Sequence, residues 1–206
     1  MSLKQLAVGA LVTICTLVVH ATAQKNELSG LLGRTFISDQ GIIGGTFFDN
    51  NVHFGKGLTF EANYARRVLE PGLASVSLEV PVVVNWDEDI ASVAVQVPTN
   101  FKSFFVTPSA RLNIFSNSAV SPWVSFGGGV GRFSESSTQV AGVSSKTGTT
   151  TGALQAGLGL DVRVFGRFSM RGEFRDFWSG VPQLNVDTGK SRQHNFFVAG
   201  GLVWHF

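Results

Sequence analysis

Several kinds of residue and segment are scarce in this 206-residue chain, and each scarcity narrows the possibilities. The single cysteine, Cys15, lies in a segment that we expect to be removed, so the mature chain is predicted to have no disulfide and no cysteine-based metal site. Only 15% of the residues are charged, the net charge is +2 and no run of five basic residues occurs, which argues against nucleic-acid binding. After residue 23, no apolar run approaches the ~20 residues of a membrane-spanning helix. A mature chain in a membrane would therefore cross it as a β-barrel.

The first 23 residues have the three parts of a secretory signal peptide. Lys4 supplies the positive charge, Leu6–Val19 is an apolar run of 14 residues, and Ala21-Thr22-Ala23 is a small-residue cleavage site. We predict cleavage between Ala23 and Gln24, with a signal peptide over 1–23 and one mature domain over 24–206.

The last twelve residues alternate between two different faces. One face is apolar or glycine with aromatic residues at its ends, whereas the other is smaller and more mixed. A period of two indicates a strand. Terminal aromatics on the apolar face are typical of a strand whose outer surface meets lipid and whose end lies at the membrane interface. The apolar face comprises Phe196, Val198, Gly200, Leu202, Trp204 and Phe206.

Eight segments of this alternating kind follow one another along the chain. Turn signals such as Pro71-Gly72 and Phe165-Gly166 separate them. Strands are predicted over Glu27–Ser38, Gly55–Val68, Leu73–Val84, Phe101–Phe115, Pro122–Phe133, Thr149–Val164, Arg167–Trp178 and Asn195–Phe206.

The connections between these segments alternate in length. Those after the second, fourth and sixth strands are short, and the others are long and polar: Asp39–Phe54, Asn85–Asn100, Ser134–Gly148 and Ser179–Arg192. Outer-membrane barrels have short periplasmic turns and long extracellular loops, and an even strand count places both termini in the periplasm. We therefore predict an all-β fold, an eight-stranded antiparallel up-and-down transmembrane β-barrel in a bacterial outer membrane.

The seventh predicted strand is the most informative about the barrel interior. Its Arg171, Glu173 and Arg175 share one face, and a midplane arginine facing lipid would cost about 2–4 kcal/mol. Eight strands enclose a bore that side chains can fill, and inward glycines such as Gly157 and Gly159 leave room for long side chains. We predict a charged, hydrogen-bonded interior without an open pore, built from Glu61, Glu79, Arg111, Asp161, Arg163, Arg171, Glu173 and Arg175.

Aromatic residues near strand ends or on the outward parity predict a belt at the membrane interfaces. On the first strand, Arg34 favours an inward parity, which also places Leu32 and Phe36 inside. Asp176 falls on the outward parity of its strand, and we place it near the outer rim. The predicted belt comprises Tyr64, Phe104, Trp123, Phe168, Trp178, Trp204 and Phe206.

Four parts of the chain show a family resemblance: the signal peptide, Leu31-Leu32-Gly33-Arg34, the segment Phe174–Trp178 and the C-terminal Gly201–Phe206. Together they resemble the small eight-stranded outer-membrane barrel family, which includes the barrel of outer-membrane protein A and its short relatives. The resemblance covers the mature chain. It implies that Leu202, Trp204 and Phe206 form the signal read by the barrel-assembly machinery, and that periplasmic chaperones escort the chain. The chain ends at the eighth predicted strand, so the peptidoglycan-binding domain of larger family members is not expected.

Several alternatives compete with a structural or surface-interaction role. A narrow channel or small-molecule conduit is the main one, and a soluble barrel of the lipocalin type would place apolar residues inside. Neither His53 nor His194, which is near Ser191, has the sequence spacing of a hydrolase or acyltransferase site. We therefore predict no enzymatic activity. Asp87-Glu88-Asp89 is read as a solvated loop tip and not as a cation site. We expect no cofactor or metal, a monomer, and outer-membrane lipid with lipopolysaccharide as surroundings.

Overall fold

Eight antiparallel strands close into a barrel in the computed structural model, which describes residues 25–43, 51–70, 72–92, 100–116, 118–135, 139–140, 143–144, 148–182 and 188–206. Short strands lie in two of the long connections: Gln40–Gly41 with Asn51–Phe54, and Gln139–Val140 with Val143–Ser144. The barrel strands are β1 (Asn26–Ile37), β2 (Lys56–Leu69), β3 (Ala74–Ala91), β4 (Asn100–Val106 with Ser109–Ile114), β5 (Val120–Glu135), β6 (Thr149–Phe165), β7 (Phe168–Gly180) and β8 (Arg192–His205).

Each strand pairs with its neighbour in the chain, and β1 also pairs with β8. That last register runs from Glu27↔His205 to Ile37↔Asn195. Two backbone hydrogen bonds extend it, from Asn26 N to Phe206 O at 3.0 Å and from Phe206 N to Asn26 O at 2.9 Å. Closure satisfies the backbone groups that an open sheet edge would leave unpaired. The predicted fold class is confirmed.

Local chemistry explains the turns and the break in β4. Gly72 and Gly166 have φ values of 70° and 51°, a region that glycine enters without strain, and they occupy the turns before β3 and β7. Pro108 has no N–H to give to the sheet, and it separates the two halves of β4. At the first turn, the hydrogen bond from Arg67 Nη1 to Glu70 Oε1, 2.9 Å long, lowers the pKa of the Glu70 carboxyl.

The two faces of the barrel differ in chemistry as the alternation predicts. Inward side chains are mostly polar or charged and buried, whereas large apolar side chains lie on the outside. On β7, for example, Arg171, Glu173 and Arg175 are buried, but Met170 and Trp178 are exposed. Among the described residues, the chain contains no helix that is long and apolar enough to cross a membrane.

Strands β1 and β3 differ from the sequence prediction in two features. The parity assigned to β1 is wrong, because Glu27 and Thr35 are buried inside while Leu32 and Arg34 are exposed outside. Strand β3 continues to Ala91, so the backbone of the acidic segment 87–89 is strand and not loop. The predicted signal peptide and its cleavage site at Ala23 and Gln24 lie outside the described residues.

Candidate functional site: the charged interior of the barrel

The half of the interior nearest the short turns is organised around Glu27 of β1. Its carboxylate pairs with Arg111 of β4, and its Oε2 lies 3.4 Å from Arg171 Nη2 of β7. Arg171 also donates two hydrogen bonds of 2.7 Å to the two carboxylate oxygens of Asp161 on β6. Bidentate charge-assisted bonds of this kind are strong and directional. Four strands are therefore tied together across the bore.

A second group of ion pairs lies further toward the long loops and is centred on Arg175. This fully buried guanidinium contacts carboxylates from three strands: Glu61 of β2 at 3.3 Å, Glu79 of β3 at 2.9 Å, and Glu173 of β7 at 2.6 Å. Glu79 also pairs with Arg111 Nη1 at 3.4 Å, which joins this group to the first. Asn63 and Ser109 donate two further hydrogen bonds to Glu79, of 3.0 and 3.2 Å.

Trp123 of β5 lies between the two groups and is only 1% exposed. Its ring centroid is 5.6, 5.2 and 5.3 Å from the guanidinium carbons of Arg111, Arg171 and Arg175. Its Nε1 donates to Asp161 Oδ1 at 3.2 Å. The negative face of an aromatic ring stabilises nearby cations, so one indole separates three like charges while its polar atom joins their network.

Phenylalanine side chains fill the interior above the charged groups. Phe105 stacks on Phe177 with a centroid distance of 4.7 Å and meets Phe133 edge-on at 5.8 Å. Phe197 is also fully buried in this layer. The sequence predicts a charged, hydrogen-bonded interior but not this aromatic layer, which covers the ion pairs on the loop side.

Polar side chains lie closer still to the long loops. Gln40 Nε2 donates to Gln193 Oε1 at 2.8 Å, and Thr188 Oγ1 donates to Gln40 Oε1 at 3.1 Å. At the opposite mouth, near the turns, a cavity of about 30 Å³ borders Glu27, Asp161, Arg163 and His205.

Comparison with known proteins finds similarity only among solved structures. No protein-family model matches the chain, and no curated protein matches it. Neisserial surface protein A (NspA) matches with a TM-score of 0.56 and 14% identity over 90% of this chain and 100% of that one. The outer membrane protein OprG from Pseudomonas aeruginosa matches with a TM-score of 0.51 and 12% identity over 89% and 96%. The outer membrane enzyme PagL matches with a TM-score of 0.43 and 11% identity over 85% and 97%.

The chain has the fold of a small outer-membrane β-barrel. The resemblance predicted from the sequence is confirmed at the level of the fold. Identities this low show the architecture alone, and the same fold supports different activities. The function must therefore be argued from the residues inside and outside the barrel.

The structure brings seven of the eight predicted interior residues into one network of ion pairs and hydrogen bonds. Arg163 is the eighth, and it lies exposed beside the mouth cavity near the turns. The seven network residues are Glu61, Glu79, Arg111, Asp161, Arg171, Glu173 and Arg175.

Sequence reasoning missed two central residues of this site. Glu27 was missed because Arg34 was used to orient β1, and Arg34 in fact points outward. Trp123 was assigned to the interfacial belt, although its parity with the inward Ser125 on the same strand was a signal for the interior. In both cases, the alternation of residues along the strand indicates the buried face more reliably than the type of a single residue.

The outer face carries the remaining predicted features of the barrel. Trp178 and Trp204 are exposed, as are Leu202 and Phe104, while Phe206 contacts the Trp204 ring with a centroid distance of 4.6 Å. His194 Nδ1 donates a hydrogen bond of 2.7 Å to Asp176 Oδ2 on the outer face, and the imidazole stacks between Trp178 and Phe196. In the described part of the chain, no group of three or more His, Cys, Asp or Glu is arranged to hold a metal ion.

Proposed function

We propose that this protein is a non-enzymatic integral outer-membrane barrel with a closed interior, and that it displays its four long loops at the cell surface for envelope integrity or surface interaction. Both termini would lie in the periplasm. The apolar outer face and the barrel closure support membrane insertion, because every backbone group in the sheet must be satisfied away from water. In this proposal the barrel is a rigid support and the loops carry the interaction.

The observation that carries the proposal is the set of ion pairs across the bore. Arg111 of β4 reaches Glu27 on the far side of the barrel, and Arg175 of β7 reaches Glu61 and Glu79. These side chains are fully or almost fully buried. An ion would have to separate several mutually satisfied charges and then pass the phenylalanine layer, which supports a closed barrel.

A narrow conduit is the second candidate, and one feature of the network favours it. Among the described residues, both carboxylate oxygens of Glu61 lack a hydrogen-bond donor, although Arg175 Nε is 3.3 Å from one of them. The network also contains more buried carboxyl groups than buried guanidiniums: Glu27, Glu61, Glu79, Asp161 and Glu173 lie with Arg111, Arg171 and Arg175. Two partly exposed basic side chains, Arg67 at 3.9 Å and His205 at 3.7 Å, also contact Glu27. An acidic excess of this kind is where a cation would enter if the network opened.

Planar-bilayer recording and the Glu173→Ala variant separate the two candidates. Glu173 accepts two hydrogen bonds from Arg175, of 2.6 Å from Nε and 3.2 Å from Nη2, so its removal takes two acceptors away from a buried guanidinium. We expect a wild type without steady large conductance, and a variant that loses its folded gel mobility at a lower temperature. A variant with unchanged stability and new ion flux would instead support a gated channel.

The location is tested by cell fractionation and by migration on gels. We expect the protein to fractionate with outer membranes and to migrate differently before and after heating. Extraction as a soluble periplasmic protein would overturn the proposal. Protease treatment of intact cells tests the loop orientation, because cleavage should occur in the long connections and spare the turns around Gly72 and Gly166.

Biogenesis forms part of the same proposal. The predicted signal peptide would direct the chain to the periplasm, where chaperones would escort it to the barrel-assembly machinery. Leu202, Trp204 and Phe206 of the closing strand would be recognised there. A monomer surrounded by outer-membrane lipid and lipopolysaccharide would result, with no cofactor.

A further inference from the structure

A row of apolar and aromatic side chains crosses four neighbouring strands on the outer face, close to the short turns. Phe168 of β7 lies opposite Trp204 of β8. Leu28 of β1 continues the row, paired with Trp204 on one side and with Tyr64 of β2 on the other. All four side chains are exposed, and the Tyr64 hydroxyl donates a hydrogen bond of 2.9 Å to Asn26 Oδ1. Amphipathic rings near strand ends are typical of the boundary between lipid chains and headgroups.

Arginine side chains lie beside this row, nearer the turns and on the same side of the barrel. Arg66 is opposite Asn26 in the register of β2 and β1. Arg167 is exposed in the turn before β7, where its backbone oxygen accepts a hydrogen bond of 2.9 Å from His205 N. Arg163, near the end of β6, is exposed beside the mouth cavity. Long basic side chains at this height can reach the lipid headgroups.

We call this surface the turn-end arc. It consists of the row Phe168, Trp204, Leu28 and Tyr64 together with Arg66, Arg163 and Arg167.

The three arginines of the turn-end arc have no ion-pair partner among the residues that the structure describes. Glu70, in the turn between β2 and β3, pairs instead with Lys25 at 3.4 Å and Arg67 at 2.9 Å. The two other carboxylates at this height point into the bore and pair with buried guanidiniums there. Residues 1–24, which precede this end of the barrel, contain no aspartate or glutamate, and the carboxylate of Phe206 offsets one charge at most. The arc is therefore positively charged.

Strands β4 and β5, on the other side of the barrel, have neither feature on their outer face near the turns. The exposed side chains there are aliphatic: Leu112, Ile114, Val120 and Val124. No charged residue occurs in 112–131, and Phe115 lies in the turn itself, beyond the strands. An aliphatic face meets the chains of any lipid equally well, whereas the turn-end arc adds groups that can distinguish between headgroups. Recognition of a headgroup would therefore be confined to one side of the barrel.

We propose that the turn-end arc binds the phosphate groups of anionic phospholipids, such as phosphatidylglycerol, in the inner leaflet of the outer membrane. The arginines would donate charge-assisted hydrogen bonds to the phosphate oxygens, and the aromatic row would contact the upper part of the acyl chains. A zwitterionic headgroup has its own ammonium beside the phosphate, so uncompensated arginines favour a lipid with net negative charge. The leaflet, but not the binding itself, rests on the orientation given under the proposed function, with the turns in the periplasm.

Spin-labelled lipids test this preference. The protein is folded into phosphatidylcholine vesicles, and electron paramagnetic resonance measures the motionally restricted fraction of spin-labelled phosphatidylglycerol and of spin-labelled phosphatidylcholine. We expect a larger restricted fraction for phosphatidylglycerol, and a smaller difference at high salt because exposed charges are screened. The variant Arg66→Gln/Arg163→Gln/Arg167→Gln should lose more than half of the difference. Equal restriction of the two lipids by the wild type, or an unchanged difference in the variant, would overturn the proposal.

A matched control removes three cations near the long loops. Lys102→Gln/Arg132→Gln/Lys190→Gln should keep more than half of the difference between the two lipids. If it loses as much as the turn-end variant, the preference arises from overall charge and the proposal fails. Should the turn-end variant not fold, each single substitution in the arc is expected to lose part of the difference.

A second control separates the lipid from the free ion. Inorganic phosphate should reduce the difference between the two lipids no more than chloride does at the same ionic strength. A larger reduction by phosphate would show a site for the free ion and would overturn the lipid proposal.

The lipid preference is independent of the protein's orientation. Both leaflets of the vesicles contain the labelled lipid, so the arc meets it in either direction of insertion. Protease treatment of intact cells reports on orientation alone. Loss of the preference with cleavage in the long connections would overturn the arc and leave the proposed function standing, whereas cleavage at the turns would overturn the orientation and the assignment to the inner leaflet.

Discussion

Gly159 and Trp123 face each other on β6 and β5, and the pair shows how single residues shape the interior. A Cβ at Gly159 would lie 2.4 Å from Trp123 Cζ2 and 2.7 Å from the backbone oxygen of Gly172. The sequence predicted that inward glycines leave room for long side chains from the far wall. Gly159 instead leaves room for the Trp123 indole on the adjacent strand. Which side chains meet inside the barrel depends on the register between strands as well as on the face to which each residue points.

We expect Gly159→Ala to destabilise the barrel by about 1–3 kcal/mol, the usual cost of overpacking a filled interior. Trp123 would have to move, and its contacts with three guanidiniums and Asp161 would be disturbed. The measurement is the urea midpoint of unfolding in detergent or vesicles. Gly172→Ala is the matched control, since a Cβ there meets nothing within 4 Å. Equal effects of the two substitutions would contradict this packing argument.

At the scale of elements, the strands and the alternation of long and short connections could be predicted from the sequence. Strand β7 was assigned correctly because three charged residues alternate along it. The inward face of strand β1 was assigned wrongly, because its one arginine, Arg34, lies near the loop end. A long side chain there can reach polar surroundings from the outer face. The partners of Glu27 depend on the cross-bore geometry of strands far apart in the chain, which single-strand patterns do not contain.

The closing strand gives a prediction at this scale. Removing Phe206 eliminates its two backbone hydrogen bonds with Asn26 and its ring contact with Trp204, all at the seam between β1 and β8. We expect this deletion to reduce the heat-modifiable folded fraction in outer membranes strongly. A deletion within residues 136–147, between β5 and β6, should have a much smaller effect. If the Phe206 deletion and the loop deletion were tolerated equally, the seam between β1 and β8 would not have a central role in assembly.

For the whole molecule, the decisive property is that the outer face consists mostly of large apolar side chains, while most of the buried side chains inside the barrel are polar or charged. Leu158 is near the middle of β6 and 56% exposed on the outer face. A charged side chain at such a position would be tolerated in a soluble barrel, whose outer face meets water, but would be unfavourable on a face that meets lipid. This contrast separates the membrane barrel from the lipocalin-type alternative.

We therefore expect Leu158→Arg to lower the free energy of unfolding in lipid vesicles by about 2–4 kcal/mol, as for a midplane arginine. Leu73→Arg, in the exposed turn before β3, should have little effect. Reversible unfolding in urea from vesicles measures both. If Leu158→Arg were as well tolerated as Leu73→Arg, the outer face would not be in contact with lipid.

The placement of the four tryptophans also gives the molecule two optically distinct environments. Trp86, Trp178 and Trp204 face outward and are accessible to quenchers attached to lipid chains, whereas Trp123 is enclosed by the strands. In vesicles of brominated lipid, the remaining fluorescence would come mainly from Trp123. Since three guanidiniums surround that indole, its emission wavelength would report the electric field inside the barrel.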